Sequence, residues 1–319
     1  MNISKAKKLK YSLPLITGLL IIGLIVVFAP WNEIISLVSR INIQTLVVLF
    51  CLSCLYYFAK TVRFWVMLKA LNIKLPYLSV MRVYLSAQPV SLLPAGELYR
   101  SVLLEKEFKV PIIKSAATVT MQGLVEAVVL VLFSLIGVFV IGVDRVLVTI
   151  IGILLLLLFV GLQRNWLVGL PKYLNKLPFV HINLDKARKF ITDHQALLQP
   201  RIFSVTFLLS IVPVLSGISI FYLSSHTVHV PITIAQASIG YSLPVVVSGL
   251  SFLPGGVGSS EGSSIIFLQY VGVGAAAAVT ITLLVRIFTL GMGLIFGCSA
   301  LLITRIFRRK HEDVSTHKS

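Results

Sequence analysis

Charge is scarce in this sequence. Asp, Glu, Lys and Arg make up 12% of 319 residues, against 57% hydrophobic types, and the mean hydropathy is +0.97. That shortage excludes an ordinary soluble globular domain, in which about 25% of residues are charged. Acidic groups are the scarcest: 11 Asp and Glu stand against 28 Lys and Arg, a formal charge of +17. No Lys/Arg-rich soluble domain is there to hold a nucleic acid, so nucleic acid is set aside as a partner. The basic excess is assigned to cytoplasmic loops on anionic lipid. Cysteine is nearly missing, with only Cys51, Cys54 and Cys298. The first two share a CxxC spacing, but inside an apolar run, with no second pair and no His nearby. They read as small residues of a membrane helix, not as a redox or metal site. A nucleotide loop, a metal-ligand cluster and a His within an apolar segment are also lacking. No cofactor and no metal is therefore expected.

What is present is a series of apolar runs, several near the ~20 residues that span a bilayer as a helix. They cover about 12–29, 43–62, 77–93, 112–142, 145–162, 202–223, 232–253, 262–275 and 276–303. The lysines at 5, 7, 8 and 10 ahead of the first run look like a signal peptide. Pro30-Trp31-Asn32 follows without a small-residue cleavage site, so the run is read as an uncleaved first span. Short cytoplasmic loops collect Lys and Arg. The start, the loop 163–201 and the tail from Arg305 are all basic. All three face the cytoplasm only if 77–93 and 232–253 make no net crossing. The expectation is an all-α polytopic membrane protein with six full spans and two re-entrant hairpins, about 77–108 and 232–275. Full crossing by both arms of each hairpin would give the same sidedness. The plasma membrane is the expected location, with both termini cytoplasmic. Residues 1–303 form one transmembrane domain and 304–319 a basic tail. Leu184, Ala187, Phe190 and Ile191, with Lys186, Arg188 and Lys189 between, read as a basic amphipathic helix on the inner leaflet.

The chain also repeats itself. "SLLPAGELYR" at 91–100 and "SFLPGGVGSS" at 251–260 are offset by 160 residues. The same offset aligns "SAATVT" at 115–120 with "AAAAVT" at 275–280, Glu126 with Arg286, and Gly137 with Gly297. Three full spans separate the ends of the two copies, about 77–142 and 232–303. The second copy is therefore expected upside down, an inverted repeat of the transporter kind. In that plan broken helices line a cavity rather than lipid. Gly96, Gly255, Gly256 and Gly258 could leave amides open as an anion nest, with Ser259 or Ser260 capping a helix at Glu261. The opposing possibility is a tight turn with no ligand. Glu126 and Arg286 lie mid-run, where an unpaired charge is costly. Their equivalence favours mutual pairing, or one shared polar cavity. Glu97 and Arg100 can pair with each other or line a vestibule. Lys60 and Arg63, beside Tyr56, Tyr57 and Trp65, read as an interfacial anchor.

"LPAGELYR", "LPGGVGSSEG" and "VRIFTLGMGLIFG" together resemble the lysylphosphatidylglycerol synthase transmembrane, flippase-like family, over nearly the whole chain. Its Pro-x-x-Gly-acidic-x-x-Arg pattern is similar to Pro94, Gly96, Glu97 and Arg100, with the Gly closer to the Pro here. Its Pro-Gly-Gly-x-Gly-x-x-Glu pattern falls on Pro254, Gly255, Gly256, Gly258 and Glu261, and its last-helix Arg on Arg286. The resemblance implies a membrane domain that moves lipids between leaflets. In two-domain members a cytosolic acyltransferase-like domain follows and aminoacylates phosphatidylglycerol from charged tRNA. With the chain ending at Ser319, that domain is not expected. The expected function is movement of a phosphate-bearing lipid. The alternatives are a phosphatidylglycerol lysyltransferase-type enzyme, or a non-catalytic partner of a separately encoded lipid-modifying enzyme. Membrane lipids, anionic phospholipid among them, are the expected partners. The residues assigned to substrate are Pro94, Gly96, Glu97, Arg100, Glu126, Pro254, Gly255, Gly256, Gly258, Ser260, Glu261 and Arg286.

Overall fold

The computed structural model describes residues 31–39, 41–91, 93, 96–142, 184–251 and 253–316. Among them the chain is all helix, with no strand. The helices are α1 (Trp31–Ser39), α2 (Ile43–Ala70), α3 (Tyr77–Ser86), α4 (Gln88–Ser91), α5 (Tyr99–Phe108), α6 (Ile112–Ile141), α7 (Leu184–Leu197), α8 (Pro200–Thr227), α9 (Ile234–Leu250), α10 (Ser259–Tyr270), α11 (Ala275–Arg286) and α12 (Met292–Thr316). A π turn, Ile287–Gly291, joins α11 to α12 without a break.

Four stretches among the described residues are long and apolar enough to cross a membrane: Ile43–Ala70, Ile112–Ile141, Pro200–Thr227 and Ala275–Thr304. They coincide with four of the six expected spans. The other two, 12–29 and 145–162, lie outside the described residues, as do Pro94 and the first part of the loop 163–201.

Local chemistry sets the helix ends. Asn42 caps α2 by accepting from the Gln44 amide. Thr233 and Gln236 form a reciprocal capping box at the start of α9, satisfying two amides that the helix leaves open. Pro200 opens α8 at a position where a missing N–H costs nothing. Gly142 closes α6 and Gly272 follows α10, both in the left-handed region.

Both Leu-Pro-x-Gly stretches fall between helices, and of the first the described residues are Leu93 and Gly96. The first lies between α4 and α5 and ends in a 3-10 turn, Gly96–Leu98. The second lies between α9 and α10, with a 3-10 turn at Pro254–Gly256. Gly255, Gly256 and Gly258 there have φ of 60°, 65° and 88°. Residues with a Cβ rarely adopt such angles, which accounts for three glycines within four positions.

α8 lies along α2, and α10 is held between α9 and α11. The remaining packing crosses between distant parts of the chain. α3 and α4 lie against α12, and α9 lies against α6. Both contacts depend on glycine. A Cβ at Gly297 of α12 would run into the Pro89 ring and the Leu85 carbonyl. A Cβ at Gly137 of α6 would run into Ile239 and the Ala235 carbonyl. Small residues at such crossings let helix backbones approach closely.

The amphipathic helix is present as α7. Leu184, Ala187, Phe190 and Ile191 are half-buried, and Lys186, Arg188 and Lys189 are exposed. Its apolar face packs on α6 rather than lying free. Burial raises the Asp193 carboxyl above its ordinary range, although Lys114 and Lys189 oppose this, and it lowers His194.

Candidate functional site

A cavity of about 1220 Å³ opens between the two helix breaks. Gly96, Glu97, Gly255 and Gly256 line it from the breaks, and Arg100, Glu126, Ser260 and Arg286 from the helices around them. Drug-sized ligands use pockets of ~300–1,000 Å³, so this one exceeds a small-molecule site. Its wall also carries a run of tyrosines, Tyr56, Tyr57, Tyr84 and Tyr241.

The charged wall is built in three parts. The first joins α2 to α6. Glu126 accepts from Arg63 Nη2 through Oε2 at 2.5 Å, and its Oε1 meets Lys60 Nζ at 2.7 Å. Arg63 is fully buried and also donates to Ser210 Oγ of α8 at 2.6 Å. Lys60 sits over the Tyr56 ring, 4.4 Å from its centroid. Lys60 and Arg63 are one turn apart on α2, so both reach the same carboxylate. The reading of these two cations as an interfacial anchor is therefore corrected. They are the counter-ions of Glu126. Trp65 donates to the Leu75 carbonyl and lies under Lys69.

The second part belongs to α5. Arg100 Nη1 donates to Gln122 Oε1 at 3.1 Å, and the guanidinium lies 4.0 Å over the Tyr84 ring. Glu97 approaches Arg100 only to 3.9 Å and is 58% exposed, so of the two possibilities the Glu97–Arg100 pair is loose and Glu97 lines the cavity. Gln122 also donates to the Lys60 carbonyl at 3.2 Å. One amide thus fixes Arg100 to the turn of α2 that carries Lys60.

The third part closes the second helix break. Arg286 Nε lies 2.7 Å from Glu261 Oε1, and Nη2 donates to the Gly256 carbonyl at 3.3 Å. The Nε approach is off the N–H axis, so it is an ion pair without an aligned hydrogen bond. Glu261 Oε2 in turn accepts from the Gly258 amide at 2.7 Å. The direct Glu126–Arg286 pair expected from the repeat is not formed, because each charge is matched by a nearer partner. The two share one cavity instead. Single and double replacements of Glu261 and Arg286 by Gln should be non-additive, with a coupling of about 0.5–3 kcal/mol in thermal unfolding. Strict additivity would contradict this local pairing.

The anion nest also needs correction. The Gly96 amide donates to the Leu93 carbonyl at 2.8 Å and the Gly256 amide to the Leu253 carbonyl at 3.0 Å. With Gly258 bound to Glu261, three of the four glycine amides are already used inside the protein. α10 begins at Ser259 with Gly258 at its cap, so neither Ser259 nor Ser260 caps a helix at Glu261. Ser259 Oγ donates back to the Gly256 carbonyl at 3.0 Å. The glycines shape the break, and the side-chain cations are left to meet an anion.

The π turn beside Arg286 was not visible in the sequence. Ser53 and Tyr57 of α2 donate to its carbonyls, to Phe288 O at 2.5 Å and Thr289 O at 2.7 Å. Gly293 makes room, since a Cβ there would strike the Tyr57 hydroxyl.

The pattern of the lysylphosphatidylglycerol synthase TM region matches residues 15–297, nearly the whole chain. The protein belongs to that family. Both helix breaks, the Glu126 cluster and the Glu261–Arg286 pair fall within the matched residues of this lysylphosphatidylglycerol synthase TM region. A search of curated protein sequences finds no match.

Proposed function

We propose that the protein moves a polar, phosphate-bearing lipid between the leaflets of the cell membrane. The observation that carries this is the cavity itself. In a chain of membrane composition, cations line a space of about 1220 Å³ between two broken helices. Polar backbone at membrane depth is tolerated where it lines a cavity. Ionisable groups in such a place mark a pathway.

The proposed architecture is six full spans and two re-entrant hairpins, with both termini cytoplasmic. The halves 77–142 and 232–303 are related as an inverted repeat. Gly137 and Gly297, equivalent in the two copies, support it, because each admits the broken arm of the other half. The exchange α3–α4 on α12, α9 on α6 is what a two-fold axis through the cavity would produce. Substrate contact is assigned to the cavity face around Gly96, Arg100, Glu126, Ser260, Gly256 and Arg286.

The test is the purified protein in liposomes with headgroup-labelled phosphatidylglycerol. Label should move between leaflets faster than in protein-free liposomes. No movement above that background would overturn the reading. Aminoacylated lipid formed on addition of charged tRNA would replace it with a transferase.

A further inference from the structure

We infer that Lys60 is the group that selects a negatively charged headgroup, forming with Arg100 a two-cation site for one phosphate anion. This rests on the lipid reading above and names the residue and the charge class for it. Two cations meet one carboxylate at Glu126. Arg63 is fully buried and held at both ends, so it neutralises Glu126 and stays. The surplus positive charge is Lys60, which keeps 16% of its side chain exposed, and it lines the cavity.

Arg100 lines the same cavity and is tied to the turn of α2 that carries Lys60. Gln122 binds the Arg100 guanidinium with its oxygen and the Lys60 carbonyl with its nitrogen. Arg100 is 3% exposed, its Nε has no hydrogen-bond partner, and Glu97 is too loose to satisfy it. Each cation rests on a tyrosine face, Lys60 on Tyr56 and Arg100 on Tyr84. The rings hold the cations toward the cavity without removing their charge. Lys60, Arg63 and Arg100 stand against Glu97 and Glu126, three positive charges to two negative, so one positive charge remains. One phosphodiester cancels it, whereas a zwitterionic headgroup leaves the sum unchanged. The glycine amides cannot substitute, because three of the four are bonded within the protein.

The experiment is lipid binding to the full chain in detergent, read as a shift in thermal unfolding. The probes are phosphatidylglycerol, phosphatidylcholine and inorganic phosphate alone. Wild type should prefer phosphatidylglycerol over phosphatidylcholine by about tenfold or more, because both offer the same phosphodiester but choline brings a further cation beside an uncompensated positive charge. Lys60→Arg should keep that preference, and Lys60→Gln should lose it. Arg63 still matches Glu126 in Lys60→Gln, so the fold should hold. If it does not, Lys60→Met keeps the stem and removes only the charge. An unchanged preference in the neutral variants overturns the assignment of Lys60. An equal shift with inorganic phosphate alone overturns the lipid source. Lipid movement in liposomes by a wild type without headgroup preference would sink this inference and leave the transport reading standing. A wild type that neither binds nor moves lipid sinks both.

Discussion

Glu126→Gln is expected to be the most damaging single substitution in the cavity wall, costing about 3–5 kcal/mol of stability. The reason is what it leaves behind. Arg63 is fully buried, and its Nε already lacks a hydrogen-bond partner. With the carboxylate gone, Ser210 is its one remaining partner, and a guanidinium is not deprotonated to escape. Lys60 loses its partner at the same time. Arg63→Gln should cost less, since Glu126 would keep Lys60. Thermal unfolding in detergent would check this, with the yield of monodisperse protein as a second measure. A Glu126→Gln protein as stable as wild type would remove the ion cluster from the account of the fold. The exchange of Glu126→Arg with Arg286→Glu should not recover the loss. It would place an arginine among Lys60 and Arg63, and a carboxylate against Glu261.

The sequence leaves that cluster ambiguous because of where its members sit. Composition exposes the membrane class because burial in lipid is a property of the whole segment. Leu-Pro-Ala-Gly and Leu-Pro-Gly-Gly expose the helix breaks because proline and glycine act on their own backbone. The counter-ions of Glu126 are different. They lie 63 and 66 residues earlier, on a helix rich in Tyr and Trp, and that setting is also the signature of a membrane interface. Only the rotation of α2 against α6 decides whether Lys60 and Arg63 face lipid headgroups or a carboxylate. The 160-residue offset aligns Glu126 with Arg286, but equivalence in sequence does not fix contact. Their actual partners were set locally, Arg286 by a glutamate in its own half. The amides carried the same ambiguity. A Pro-Gly-Gly-x-Gly stretch reads alike whether its N–H groups face a ligand or the Leu253 carbonyl and the Glu261 carboxylate.

The repeat nevertheless identifies two positions where substitution should have paired consequences. Gly137→Val and Gly297→Val should each destabilise the protein by about 1–3 kcal/mol, the usual cost of overpacking a close contact. Neither glycine is needed for its backbone angle, because both lie inside regular helix and neither has a positive φ. What forbids a side chain is the neighbour. At Gly137 the obstacles are the Ala235 carbonyl and the Ile239 side chain, and Ile239 can change rotamer. At Gly297 they are the Pro89 ring and the Leu85 carbonyl, neither of which can turn aside. Gly297→Val should therefore be the worse of the two, by lifting α3 and α4 off α12. The control is Gly262→Ala in α10, where an added Cβ meets nothing. There the better helix propensity of alanine should stabilise by about 0.5–1 kcal/mol. Unfolding midpoints of the three proteins would decide it. If valine is tolerated at both glycines while Gly262→Ala behaves as stated, the arms are not held at these crossings. If only one valine is tolerated, that arm is free to leave its long helix while the other stays fixed. The cavity between them would then open by moving one half against the other.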